Sequence, residues 1–134
     1  MNILVDSSVI LDLLARFPRR LKKARAALET ACDGARPAFN LPTYAEVALA
    51  FRDMDALDDA LSTLGLRHLP LPREAAFLAG RAFFAYRQKG GKQPRPSTEF
   101  LLGAHATVEE LPVLTRRPPF YRRHFPAARL ILWK

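Results

Sequence analysis

Three carboxylates and a set of arginines are the residues whose placing could do chemistry. Asp6 ends the apolar run Ile3-Leu4-Val5. Glu46 lies one turn into a stretch opened by Pro42, and Glu99 follows Ser97-Thr98 just after a basic loop. Two or three converging carboxylates with no matching lysines make a site for a hard divalent cation such as Mg²⁺, which takes a few carboxylates and keeps several waters. Such an ion can activate water and neutralise charge on a phosphodiester. Each acid also has a plainer explanation. Asp6 can cap a helix begun by Ser7 and Ser8, and Glu46 and Glu99 can be solvated acids that complement helix dipoles. Spacing leaves both explanations open.

The elements that must position these acids follow from patterning. Ile3-Leu4-Val5 is a short apolar run with β-branched members, the mark of a buried strand. Val9, Ile10, Leu13 and Leu14 then recur at helical spacing. Asp6 therefore stands at a strand's C-terminal end, the edge where open parallel sheets bind ligands. Residues 17–20 are a break, and 21–31 form a helix with good intrinsic propensity. A second strand is expected over 37–41, with Pro42 opening the next helix. Helical pattern restarts at Asp53, with Leu57, Ala60, Leu61 and Leu64 as its apolar face, and Gly65 stops it. A third strand is expected over 67–71. The longest helix spans 73–89, where Gly80 is expected to permit close packing. Residues 90–96 form a basic, mobile loop. Another helix runs from Ser97 or Thr98 to about Glu110, followed by a fourth strand at Val113-Leu114-Thr115. A helical turn near Tyr121 and an edge strand over 129–132 close the chain. This alternation implies one α/β domain over residues 1–134: a three-layer α/β/α sandwich with a central parallel sheet of four to five strands.

Composition narrows the function classes. The 134 residues suit one domain with a sizeable core. A net charge of +8, carried mostly by arginine, suits phosphate contact and points to nucleic acid or an acidic protein partner. Cys32 is the sole cysteine, so neither an internal disulfide nor a cysteine metal cluster is possible. No apolar run approaches a membrane span, and no basic segment precedes the first apolar run as in a signal peptide. A cytosolic protein is expected. His105 has no second histidine at ligand spacing and is expected to be packed or partly exposed. Asp12 is expected near the rim of the site, and the Phe77, Phe83 and Phe84 stripe in the core or a dimer interface.

Four motifs in order resemble the PIN-domain proteins, in particular the VapC-like ribonuclease toxins of bacterial toxin–antitoxin pairs. They are Ile3-Leu4-Val5-Asp6-Ser7-Ser8-Val9-Ile10-Leu11-Asp12, Pro42-Thr43-Tyr44-Ala45-Glu46-Val47, Glu99-Phe100-Leu101-Leu102-Gly103-Ala104-His105-Ala106, and Val113-Leu114-Thr115-Arg116 with Tyr121 and Phe125-Pro126. The resemblance implies a parallel sheet flanked by helices and a Mg²⁺- or Mn²⁺-dependent endoribonuclease acting on structured RNA. It also implies a cognate antitoxin protein and a homodimer. Asp6, Glu46 and Glu99 match three of the family's four acids and would be both catalytic and metal-holding. Ser8, Thr115, Arg116 and Arg117 would contact substrate, and Lys92, Arg95, Arg122 and Arg123 would hold the RNA backbone.

Two positions depart from the family pattern. Glu99 replaces the usual aspartate, adding a methylene, and Arg117 stands where the fourth acid is usual. Two functions follow. One is a metal-dependent ribonuclease toxin using three acids. The other is a PIN-like domain with weakened or absent catalysis that binds RNA or an antitoxin-like protein. The first is expected to go with an Arg117 side chain turned outward and holding phosphate. A guanidinium within hydrogen-bonding distance of Asp6 or Glu99 would overturn that orientation.

Overall fold

The computed structural model describes residues 1–15 and 17–132. Five strands, β1 (Asn2–Val5), β2 (Arg36–Phe39), β3 (Arg67–His68), β4 (Val113–Thr115) and β5 (Leu130–Leu132), form one sheet. All pairings are parallel, and the order is β3-β2-β1-β4-β5. The helices are α1 (Ser7–Leu13), α2 (Pro18–Ala31), α3 (Leu41–Ala48), α4 (Met54–Thr63), α5 (Arg73–Gln88), α6 (Thr98–Glu109) and α7 (Pro118–His124). This is the PIN-like three-layer arrangement expected, with the larger of the two strand numbers.

The central position of β1 explains its unbroken apolar run. Successive strand residues point to opposite faces. Ile3 and Val5 pack with Val9 and Leu13 of α1, Val47 of α3 and Leu57 of α4. Leu4 packs on the other face with Leu102 and Ala106 of α6 and Tyr121 of α7. Burying each of these β1 side chains is worth about 2 kcal/mol. Among the described residues, no helix is long and apolar enough to cross a membrane.

Several boundaries move for local reasons. α2 starts at Pro18, because proline suits a first helical turn. β2 stops at Phe39 because Asn40 caps α3, accepting from the Thr43 N–H at 3.1 Å. β3 is only two residues long, since Pro70 follows closely and cannot donate to a sheet ladder. Gly65 ends α4 with φ at +75°, as its position required.

The packing of α5 differs from expectation. Its inward stripe is Ala75, Ala79, Ala82 and Tyr86, so small residues bring it close to α6. Phe83 joins them, in edge contact with Phe100, but Phe77 and Phe84 are exposed. Gly80 is exposed with open space around it, so it mediates no close packing. That role falls to Gly103 on α6, where a Cβ would collide with the Phe125 ring. The start of the loop after α5 is tied down. The Tyr86 hydroxyl accepts from the Lys92 and Gln93 N–H groups at 3.1 Å each, and Arg87 donates to the Gly91 and Gln93 carbonyls.

Candidate active site

Asp6 is delivered by β1 to the sheet's C-terminal edge and is almost wholly buried. It is also the N-cap of α1, so the two explanations of this residue are compatible. Its Oδ1 accepts from the Ser8 N–H at 3.2 Å and the Ser7 hydroxyl at 3.3 Å. Its Oδ2 accepts from the Thr115 hydroxyl at 2.8 Å and the Tyr121 hydroxyl at 2.7 Å. Four donors fill the four acceptor sites of a carboxylate. Burial and the Asp6 charge push the Tyr121 phenol well above its ordinary pKa, which keeps it a donor.

Glu46, on α3, and Glu99, in the first turn of α6, reach the same cleft. The Thr98 hydroxyl donates to Glu46 Oε2. One Glu99 oxygen accepts from Arg117 Nη1 at 2.8 Å, while the other is buried without a hydrogen-bond partner. The Glu99 pKa rises to about 7: burial is the largest cause, the charges of Asp6 and Glu46 add to it, and Arg117 opposes it. The three carboxylates are thus near enough to feel one another.

The Arg117–Glu99 pair overturns the outward orientation expected for Arg117. A half-buried carboxylate beside two others is a strong local demand for positive charge, and Arg117 is the cation within reach. The Arg117 side chain stays 61% exposed, against 14% for the Glu99 side chain. Arg116 meets Asp12 at 3.1 Å. Asp12 lines the cleft as well, but is buried. The cleft holds about 350 Å³ and is also lined by Ser8, Phe17 and Arg20.

Thr115 is fully buried and does not line the cleft; it reaches the site only through Asp6 and by accepting from the Arg117 N–H at 2.9 Å. Lys92, Arg95, Arg122 and Arg123 lie outside the cleft lining. His105 is packed, as expected, with its Nδ1 3.2 Å from the Asn40 amide nitrogen. Thr98 and Tyr121 were missed as site residues. A threonine one residue before Glu99 was the available signal for the first; for the second, it was the place of Tyr121 in the fourth motif.

The donor chemistry fits a hard divalent cation: three carboxylates around one cleft, with a buried Glu99 oxygen left unpartnered. The spacing as found is more open. Among the described residues, no group of three or more His, Cys, Asp or Glu side chains is set to hold a metal ion.

A parallel sheet in the order β3-β2-β1-β4-β5 with helices on both faces makes a PIN-like α/β fold, with an acid-lined cleft at the end of its central strand. The chain is similar over its whole length to a chain of the VapBC2 complex of Rickettsia felis bound to a DNA fragment from their promoter: 17% identity, full coverage of both chains and a TM-score of 0.75. VapBC-1 from nontypeable Haemophilus influenzae matches with 16% identity, 99% and 98% coverage and a TM-score of 0.73. A toxin–antitoxin complex from Klebsiella pneumoniae matches with 22% identity, 96% and 95% coverage and a TM-score of 0.64. No protein-family model and no curated protein matches the sequence.

Proposed function

We propose that this chain is the ribonuclease component of a toxin–antitoxin pair, a VapC-like endoribonuclease that cleaves structured RNA in the cytoplasm and is neutralised by a cognate antitoxin protein. The observation that carries this reading is the convergence of Asp6 from β1, Glu46 from α3 and Glu99 from α6 on one cleft beside Arg116 and Arg117. Asp6, Glu46 and Glu99 would hold Mg²⁺ or Mn²⁺, which when bound supplies an activated water and neutralises charge on the phosphodiester. Thr115 and Tyr121 fix Asp6, and Thr98 orients Glu46. Ser8 and Arg116 stand where substrate would contact the cleft, and Arg117 exchanges Glu99 for an RNA phosphate, a partner its planar fork suits equally. A pair with one partner this exposed is worth about 0–1 kcal/mol, so the exchange costs little. The neighbours' names as VapBC and toxin–antitoxin complexes support the antitoxin partner. A homodimer would use exposed Phe77 and Phe84.

The test is cleavage of a purified transfer RNA with Mg²⁺ or Mn²⁺, comparing the unaltered chain with Glu46→Gln. Cleavage reduced at least a hundredfold in Glu46→Gln is expected. An unaltered chain that leaves the RNA intact with either metal removes the nuclease reading.

The Arg117–Glu99 pair favours a second reading, a PIN-like domain with weakened catalysis that binds RNA or an antitoxin-like protein. Arg117→Asp separates the two. Cleavage appearing only in Arg117→Asp supports the second reading, and robust cleavage by the unaltered chain excludes it.

A further inference from the structure

Outside the acid cleft, the C-terminal ends of α5 and α7 meet at a cavity of about 570 Å³, within the size range of ligand sites. Tyr86 and His124 line it, both partly buried, with ring centroids 5.6 Å apart at 82°. Lys89 and Arg123 line it too, both exposed, along with Gly90 and Gly91. No carboxylate lines it, and among the described residues no ion pair engages Lys89 or Arg123. The cavity is built, because the loop that closes it is tied to Tyr86 and Arg87 by four hydrogen bonds. Gly91 is required there, since a Cβ would strike the Tyr86 ring.

Helix dipoles do not account for this charge. Two helix C-termini bring about half a negative charge each. Lys89 and Arg123 already exceed that sum, and Arg87 and Arg122 lie beside them in the last turns of the same helices. The positive surplus is felt locally: burial, then Arg123 and Lys89, hold the His124 pKa below its ordinary value. An imidazole and a phenol therefore share one cavity with two cations that, among the described residues, meet no carboxylate. Cations alone would suit any acidic partner, but ring surfaces beside cations suit a nucleotide, whose phosphate and base need one of each.

We propose that this cavity is a second binding site, for a nucleotide of single-stranded RNA, with its phosphate on Lys89 and Arg123 and its base against Tyr86 and His124. The proposal rests on the RNA-directed function above and assigns it an anchoring point outside the cleft. α7 links the two places: Arg117 precedes it and Arg123 lies near its end, about 9 Å further along the axis.

The test is fluorescence anisotropy of a short fluorescein-labelled single-stranded RNA, in EDTA and over a salt series, with the full chain. Lys89→Ala/Arg123→Ala should weaken binding about tenfold at low salt and flatten the dependence of log affinity on log salt by about 0.7, the value of one phosphate contact on a single strand. Ala85→Glu, which puts an acid into the cavity wall, should weaken binding comparably. The control Arg19→Ala/Arg25→Ala removes two exposed charges elsewhere and should change affinity less than threefold. Equal losses in the control and the cavity variants would overturn the site, as would cavity variants that bind normally. Competition by polyglutamate as effective as by RNA would make the cavity an acidic-protein site and overturn it too. RNA binding lost in the cavity variants by a chain that cleaves nothing would sink the nuclease reading and leave this site standing.

Discussion

Asp6 and Glu99 line one cleft in opposite surroundings. Asp6 has two donors on each oxygen and is fixed by a strand end. Glu99 has one oxygen on an exposed arginine and the other buried with nothing. Residues around Asp6 stabilise its charge, whereas burial and neighbouring acids work against the charge on Glu99. The first acid thus serves the fold as much as any reaction. The second is the unsatisfied one, where a cation from outside gains most.

Asp6→Ala tests the first half of that contrast most severely. It leaves the Tyr121 and Thr115 hydroxyls and the Ser8 N–H without their acceptor, at about 1–3 kcal/mol each when buried. A loss of at least about 3 kcal/mol is expected in urea unfolding. A loss under about 1 kcal/mol would show that the donors find other partners. Tyr121→Phe keeps the ring and removes one hydrogen bond to a carboxylate, and should cost about 2 kcal/mol in the same measurement.

Glu99→Gln should act in the other direction, and only above acid pH. Below about 4.5 the carboxyl is protonated in folded and unfolded chains alike, so the change is neutral there. Between 4.5 and about 7 the folded chain keeps a proton the unfolded chain has released, so stability falls as pH rises. Above 7 the whole cost of ionising Glu99 is present. Thermal unfolding at pH 8 should therefore show Glu99→Gln more stable by about 1 kcal/mol, after discounting for the partly open surface. Equal melting at pH 4 and a gap at pH 8 is the expected signature; a gap of the same size at both would refute it.

Arg117→Ala should have the smallest effect on stability, within about 1 kcal/mol, because the pair is exposed at the arginine. Calorimetry should show Mn²⁺ bound up to about fivefold more tightly, since up to about 1 kcal/mol of competition is removed. Unchanged or weaker binding would mean that Arg117 and the ion do not contend for Glu99.

The sheet was legible because β1 is buried on both faces over Ile3-Leu4-Val5 and apolar there, an unmistakable pattern. The three acids were legible as strand-end and first-turn positions, and the structure does bring them to one cleft. Helix α5 was misjudged because large aromatics outweigh alanines in any hydrophobic pattern, while close packing on α6 selects the alanines. The direction of Arg117 was misjudged for a different reason. A flexible side chain goes where the potential is most negative, and that depends on how deeply Glu99 is buried, which spacing does not report. Tyr121 stood in the fourth motif, but its bond to Asp6, 115 positions away, was not legible, because which hydroxyl meets Asp6 depends on how α7 packs against β1.

That separation has a consequence during synthesis. β1 needs β4 on one side, and Asp6 needs Thr115 and Tyr121, at sequence distances of 109 and 115. Contacts between the two ends of a chain are slow to form, because a long loop must close first. They also cannot begin until the last third has been translated. A ribosome-bound fragment ending before β4 holds Asp6 and Glu46 but lacks the hydroxyls that fix Asp6 and the arginine that meets Glu99. The order of translation therefore delays the finished cleft until β4 and α7 have been made.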